Sequence, residues 1–188
     1  AMPHQWNGHL VLHAHGGPAL GAPRPERSAA DLERWAIMVK AGYAWAGSTF
    51  RQGGVEVRAA AEDTERLRQI FVGHVAQPRR TILHGQSWGA SVAARGAEMF
   101  TSTTQGQRPY DAVLLTSGVL AGGSRSYDFR TDLRVVYQYL CNNHPRPTEV
   151  QYPVNIGLPA DATLIPADMA VRVNECLGLD KPASARTP

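Results

Sequence analysis

Cysteine is scarce in this sequence: 188 residues hold only Cys141 and Cys176. Two cysteines are too few for a disulfide-built scaffold, and their spacing fits no zinc motif. They either bridge once, as in an exported protein, or remain two buried thiols. Because they flank one proline-rich stretch, a bridge pinning that stretch is expected, with closure contributing about 3 to 4 kcal/mol. No apolar run approaches the length of a membrane span, so no span is expected. Positive charge is scattered, with a formal net charge of +3 and no basic stripe interleaved with aromatics. A nucleic-acid partner is therefore not expected. Neither a signal peptide nor an internal repeat is visible.

Against these absences stands a hydrophobic content of 43%, enough for a packed core. His9 to His15 (HLVLHAH) reads as an apolar strand ending in Gly16-Gly17-Pro18. From Ser28 the apolar residues Leu32, Trp35, Ile37, Met38 and Val39 recur near the helical period, with Ser28 or Asp31 as the cap and Gly42 as the stop. Tyr43 to Phe50 reads as a second strand and Glu56 to Val75 as a second helix. Thr81 to Gly85 is a third strand, Trp88 to Phe100 an alanine-rich helix, and Asp111 to Leu115 a fourth strand. Strands alternating with helices of this length imply an α/β fold with a parallel sheet. Beyond Gly123 the alternation breaks. Tyr127 to Asn143 reads as a helix, 144–167 as irregular, Asp168 to Leu177 as a short helix, and 181–188 as a flexible tail. The expected organisation is a core over 1–120, a cap or lid over 121–180, and the tail.

Gly85-Gln86-Ser87-Trp88-Gly89 follows an apolar strand and opens a helix. A G-x-S-x-G segment in that context makes a sharp turn that raises the serine hydroxyl at the carboxyl edge of the sheet. Residues two before and two after must be small, or their side chains collide across the turn. The following helix aims its N-terminus at charge developing there. His9, His13 and His15 alternate along the first strand, but no carboxylate or cysteine sits near them in sequence, so no metal is expected. His84 reads as a packed strand-end histidine.

With these residues the chain resembles the α/β-hydrolase superfamily. HGGP at 15–18 and GQSWG at 85–89 look like the proline iminopeptidase branch. Trp6-Asn7-Gly8 leading into the first strand is similar to exported, esterase-like bacterial hydrolases. The resemblance spans residues 5 to about 120. It implies an α/β-hydrolase fold with Ser87 as nucleophile and the N–H groups of Trp88 and Gly17 as oxyanion-hole donors. It implies no cofactor. It also implies a small ester substrate, with Tyr127, Phe129 and Tyr137 of the cap, and Tyr139 and Tyr152 near them, lining an apolar pocket. A secreted or periplasmic location fits the exported relatives and the expected bridge.

The resemblance implies a triad ordered serine, acid, histidine, the last two on strands beyond the cap. After Ser87 the sequence has one histidine, His144, in an Asn-Asn-His-Pro stretch that reads as a turn. Asp111 falls at the wrong end of its strand, and Asp128 and Asp132 fall in the cap. The expectation is therefore a carboxylic-ester hydrolase whose triad acid and histidine, with the closing strands, lie on a second chain, the 181–188 segment being a nick site. Two alternatives stay open. A proline-iminopeptidase-like aminopeptidase would need cap acids such as Glu149, Asp161, Asp168 and Glu175 to hold an ammonium. A non-catalytic, hydrolase-fold binding protein would need none of these.

Overall fold

A computed structural model describes residues 1–17, 22–51, 56–152 and 166–186. It divides into two units, Ala1–Gly122 and Gly123–Pro188.

The first unit is an α/β layer structure. Its four strands are β1 (His9–Ala14), β2 (Ala44–Gly47), β3 (Arg80–Gln86) and β4 (Ala112–Thr116), all parallel, in the order β2-β1-β3-β4. Its helices are α1 (Glu26–Arg34), α2 (Ala36–Lys40), α3 (Val57–His74) and α4 (Trp88–Met99). β1 is covered on both faces, as a central parallel strand must be. Leu10 and Leu12 point to the side of α3 and α4, where they join Leu83, Phe71 and Ala93 in the core. Each such leucine removed from water contributes about 2 kcal/mol. Gly96 on α4 sets the approach of that helix, because a Cβ there would meet Leu83 at 3.3 Å.

On the other face the expected single helix is two. Trp35, at φ −102° and ψ 18°, interrupts it between α1 and α2. The break turns the Trp35 indole edge-on to His84, with ring centres 4.5 Å apart. Neither Ser28 nor Asp31 caps α1; its N-cap is Pro25, with no side-chain cap bond. Asp31 is turned inward instead, 3.7 Å from the His13 ring. β2 is shorter than expected because the backbone leaves the sheet after Gly47 and reaches a left-handed Phe50, φ +55°, whose N–H donates to Ser48 Oγ at 3.1 Å.

The strand register aligns the ends of the sheet. Ala14 pairs with Gly85 and Gln86 with Thr116, so β1, β3 and β4 end at one edge. At the opposite edge Asp111 accepts from Thr81 N–H at 2.8 Å and from Arg80 at 2.9 Å, tying the starts of β3 and β4. β4 is an outer strand, and Val113 and Leu114 are 41% and 46% exposed.

The second unit holds α5 (Gly123–Cys141) and α6 (Pro166–Leu177), joined by a Cys141–Cys176 disulfide with Cα atoms 5.6 Å apart. Arg172 binds Glu149 through both guanidinium nitrogens, at 2.8 and 2.6 Å, and donates to the Asn143 carbonyl at 2.7 Å. Ala183–Ala185 form one 3-10 turn within the segment expected to be a flexible tail. Among the described residues no helix is long and apolar enough to cross a membrane.

Candidate functional site

Ser87 stands between the last residue of β3 and the first of α4, at φ +56° and ψ −119°. L-residues rarely enter this region, and holding one there costs on the order of 1–3 kcal/mol. The surroundings enforce it. Ser87 N–H donates to the Thr116 carbonyl at 2.9 Å, and its own carbonyl accepts from Ala90 N–H at 3.1 Å and Val119 N–H at 3.3 Å. The two glycines of the motif are sterically required. A Cβ on Gly85 would overlap the backbone of Gly89, and one on Gly89 would overlap the carbonyls of Ala14 and His15. The turn therefore closes only because both positions lack a side chain.

The loop after β1 lies against this turn. A Cβ on Gly16 would come within 2.8 Å of the Gln86 carbonyl and 3.4 Å of Ser87 Cβ. Gly17 follows at φ +69°, a left-handed conformation that glycine adopts without cost. Among the described residues neither the Gly17 nor the Trp88 backbone N–H donates to another backbone group outside its helix. Trp88 is the first residue of α4, and Gly17 and Ser87 line the same cleft. Pro18, the last residue of the HGGP stretch, lies outside the described residues.

Ser87, Gly16, Gly17 and Gln86 form one side of an open cleft of about 540 Å³. The other side is α1, missed in the sequence except as a generic helix. Its residues Glu26, Arg27, Ala30, Asp31 and Arg34, with Arg24 just before it, face the cleft. The spacing of Arg24, Arg27 and Arg34 at three and seven residues, directly after the glycine loop, is the signal that could have found them. Arg27 Nη2 donates to the Gly16 carbonyl, and Arg34 donates to Gln86 Oε1 at 3.3 Å. Among the described residues no histidine lines the cleft and the Ser87 hydroxyl makes no hydrogen bond.

Behind the cleft lies a buried histidine pair. His13 and His84 are 1% and 0% exposed, with their Nδ1 atoms 2.9 Å apart. Their outer nitrogens face polar groups: Asp31 lies 3.7 Å from His13 Nε2, and Thr116 Oγ1, which donates to the Gly85 carbonyl at 3.1 Å, lies 3.3 Å from His84 Nε2. Burial, and then the neighbouring His13, push His84 down to about 4, Asp31 opposing. Burial likewise lowers His15. Burial alone would raise Asp31, but the facing His13, and then His15 and Arg27, outweigh it and hold the carboxyl below its ordinary value. Among the described residues no group of three or more histidine, cysteine, aspartate or glutamate side chains is placed to hold a metal ion.

The remaining candidates lie in the second unit. Tyr127 and Phe129 are on α5 and are 43% and 67% exposed. Tyr137 is tied locally, its hydroxyl donating to Asn143 Oδ1 at 2.7 Å. Tyr139 is exposed, and Tyr152 lies beneath the Arg134 guanidinium. His144 is buried, hydrogen-bonded to the Tyr152 hydroxyl at 3.2 Å. Of the acids an ammonium site would use, Glu149 is bound by Arg172 and Glu175 by Arg146 at 2.6 Å. Asp161 lies outside the described residues.

No protein-family model matches the chain, and no curated protein matches it. A crystal structure of an uncharacterized protein from Bacillus cereus ATCC 10987 is similar at 18% identity and a TM-score of 0.45, over 74% of this chain. The chain spans 41% of the length of that protein.

Proposed function

We propose that the chain is the nucleophile-bearing part of an α/β-hydrolase-type serine hydrolase that cleaves carboxylic esters through an acyl-enzyme on Ser87. The observation that carries this reading is the Ser87 backbone, φ +56° and ψ −119°, held between two glycines that admit no Cβ. Such strain persists where the surroundings over-determine it, and it clusters at reactive residues.

In this reading the Ser87 hydroxyl attacks the acyl carbon and its proton passes to a histidine base. The oxyanion so formed accepts hydrogen bonds from the Trp88 and Gly17 N–H groups, each donor worth about 3 kcal/mol in the transition state. The histidine then protonates the leaving alcohol, and water releases the acid by the same steps in reverse. The engagement of Glu149 and Glu175 by arginines favours an ester over a substrate held by its ammonium.

The base and acid belong, in this proposal, to a second polypeptide segment whose strand pairs along the exposed edge of β4. What supports it is the half-exposed Val113 and Leu114 on an outer parallel strand, together with a cleft that no described histidine lines. The Cys141–Cys176 bridge is compatible with a secreted or periplasmic setting.

A fluorophosphonate probe followed by peptide mass mapping tests the nucleophile. Labelling on Ser87 that disappears in Ser87→Ala is the expected result. A folded protein that is never labelled, alone or with its co-purifying partners, ends the proposal. Intact-mass analysis of the active species tests the second segment, and a single active chain of about 20 kDa overturns it.

A further inference from the structure

We propose that the cleft beside Ser87 binds a carboxylate on the acyl part of the substrate, so that the preferred ester is a half-ester of a short dicarboxylic acid; this rests on the reading of Ser87 as nucleophile. The charges decide it. Arg24, Arg27 and Arg34 face two carboxylates, Glu26 and Asp31. Asp31 is committed to the buried His13, with 17% of its side chain exposed, so its charge faces the interior more than the cleft. Among the described residues no ion pair engages any of the three arginines, and they outnumber the acids. Among the described side chains lining the cleft Ala30 is the only apolar one, and the guanidinium groups are its chief donors.

The placement fits one ligand carrying both groups. Arg27 N–H donates to the Arg24 carbonyl at 3.1 Å, so the two residues are one turn apart at the start of α1. Arg34 lies two turns further, about 10 Å along the helix by its rise per residue. It meets Gln86, the neighbour of Ser87. A carbonyl at Ser87 therefore has guanidinium groups along the opposite wall, within reach of a carboxylate a few carbons away. A guanidinium fork matches a carboxylate in shape and in donors. The same row repels an ammonium, which separates this ligand from an amino-acid ester.

The purified chain, titrated by nitrogen-15 NMR, tests this with three probes: monomethyl glutarate, its neutral isostere methyl valerate, and proline methyl ester. Saturable shifts at the Gly16, Gly17 and Ser87 amides are expected with monomethyl glutarate, and affinity about tenfold or more lower for methyl valerate. Arg24→Gln combined with Arg34→Gln should weaken the glutarate ester about tenfold. If that variant does not fold, raising salt from about 20 to about 500 mM on the unmodified chain should weaken it instead. Equal binding of the anionic and neutral esters, tighter binding of proline methyl ester, or no saturable shift overturns the proposal. Fluorophosphonate labelling, on the chain alone and on the protein with its co-purifying partners, keeps the two ideas apart. Ser87 labelling without anion preference sinks only the anion site, and anion binding without labelling sinks only the hydrolase reading.

Discussion

Arg27 donates its guanidinium to the carbonyl of Gly16 across eleven residues of chain, and the same peptide unit carries the N–H of Gly17. In a trans peptide these two groups point in opposite directions. Holding the carbonyl toward α1 therefore turns the Gly17 N–H away from α1. Arg27 is in this sense a positioning residue for the proposed oxyanion hole.

Replacing it should uncouple that donor. Arg27→Ala is expected to lower kcat on a neutral ester about tenfold or more while KM stays within about twofold, since losing one donor outright costs about 10²–10³. Affinity for a neutral boronic-acid transition-state analogue should fall in parallel, and Arg27→Lys should recover part of both. A KM change with kcat preserved would mean that Arg27 only shapes the cleft.

The glycines give a paired stability test. In Gly89→Ala the new Cβ meets the Ala14 and His15 carbonyls, so a loss on the order of 3 kcal/mol in chemical denaturation is expected, with no Ser87 labelling. Gly73, on α3, has nothing within 4 Å of a Cβ, and Gly73→Ala should be neutral or stabilise by up to about 1 kcal/mol. Equal tolerance at both positions would contradict the geometry of the turn.

The buried histidines set a pH dependence with a definite sign. His84 binds a proton at about 4 when folded but near 6.5 when unfolded. Above pH 6.5 both states are neutral and the group contributes nothing to the slope. Between about 6.5 and 4 the unfolded chain takes up a proton that the folded chain refuses, so stability falls as pH falls. His15, also lowered, acts in the same direction. His84 contributes a loss bounded at about 3 kcal/mol, from about 1.4 kcal/mol per pKa unit. Thermal melts at pH 7.5, 6 and 4.5 should drop progressively, and His84→Gln should flatten the drop. A melting temperature independent of pH over that interval would argue against a His84 that stays neutral when folded.

The disulfide gives the last test. Its loop of 35 residues predicts a loss of about 3–4 kcal/mol on breaking it. Cys141→Ser with Cys176→Ser should therefore reduce hydrogen-exchange protection at α5 and α6 amides. Unchanged protection there would show that the Arg172, Glu149 and Asn143 contacts suffice alone.

Residues 85–89 could be read because each requirement is local: small residues two apart from a serine, an apolar strand before, a helix after. The bounds of β3 and α4 were legible within one or two residues for the same reason. What lay beyond reading was set by partners distant in sequence. Trp35 looks like one more apolar residue in a helical period, and only His84, 49 residues on, explains the break there. Asp31 reads as a cap because aspartate commonly is one, whereas it answers a histidine on β1. The arginines at 24, 27 and 34 carried no signal among the scattered basic residues, since nothing local says that the glycine loop folds back against them. Residues 153–165, expected to be irregular, lie outside the described residues.

The hydrogen bond from Ser87 N–H to the Thr116 carbonyl links positions 29 residues apart. No local preference makes the chain adopt φ +56° at Ser87, so the strained turn is sustained only once β4 has docked beside β3. Contacts of that separation form late and slowly relative to the helices that flank them. Refolding followed by a probe of the Ser87 hydroxyl should consequently lag the recovery of helical circular dichroism. A nascent chain whose synthesis has not reached Thr116 would carry Ser87 without the strained turn, so any reactivity the proposed nucleophile has would stay silent while the chain is still being made.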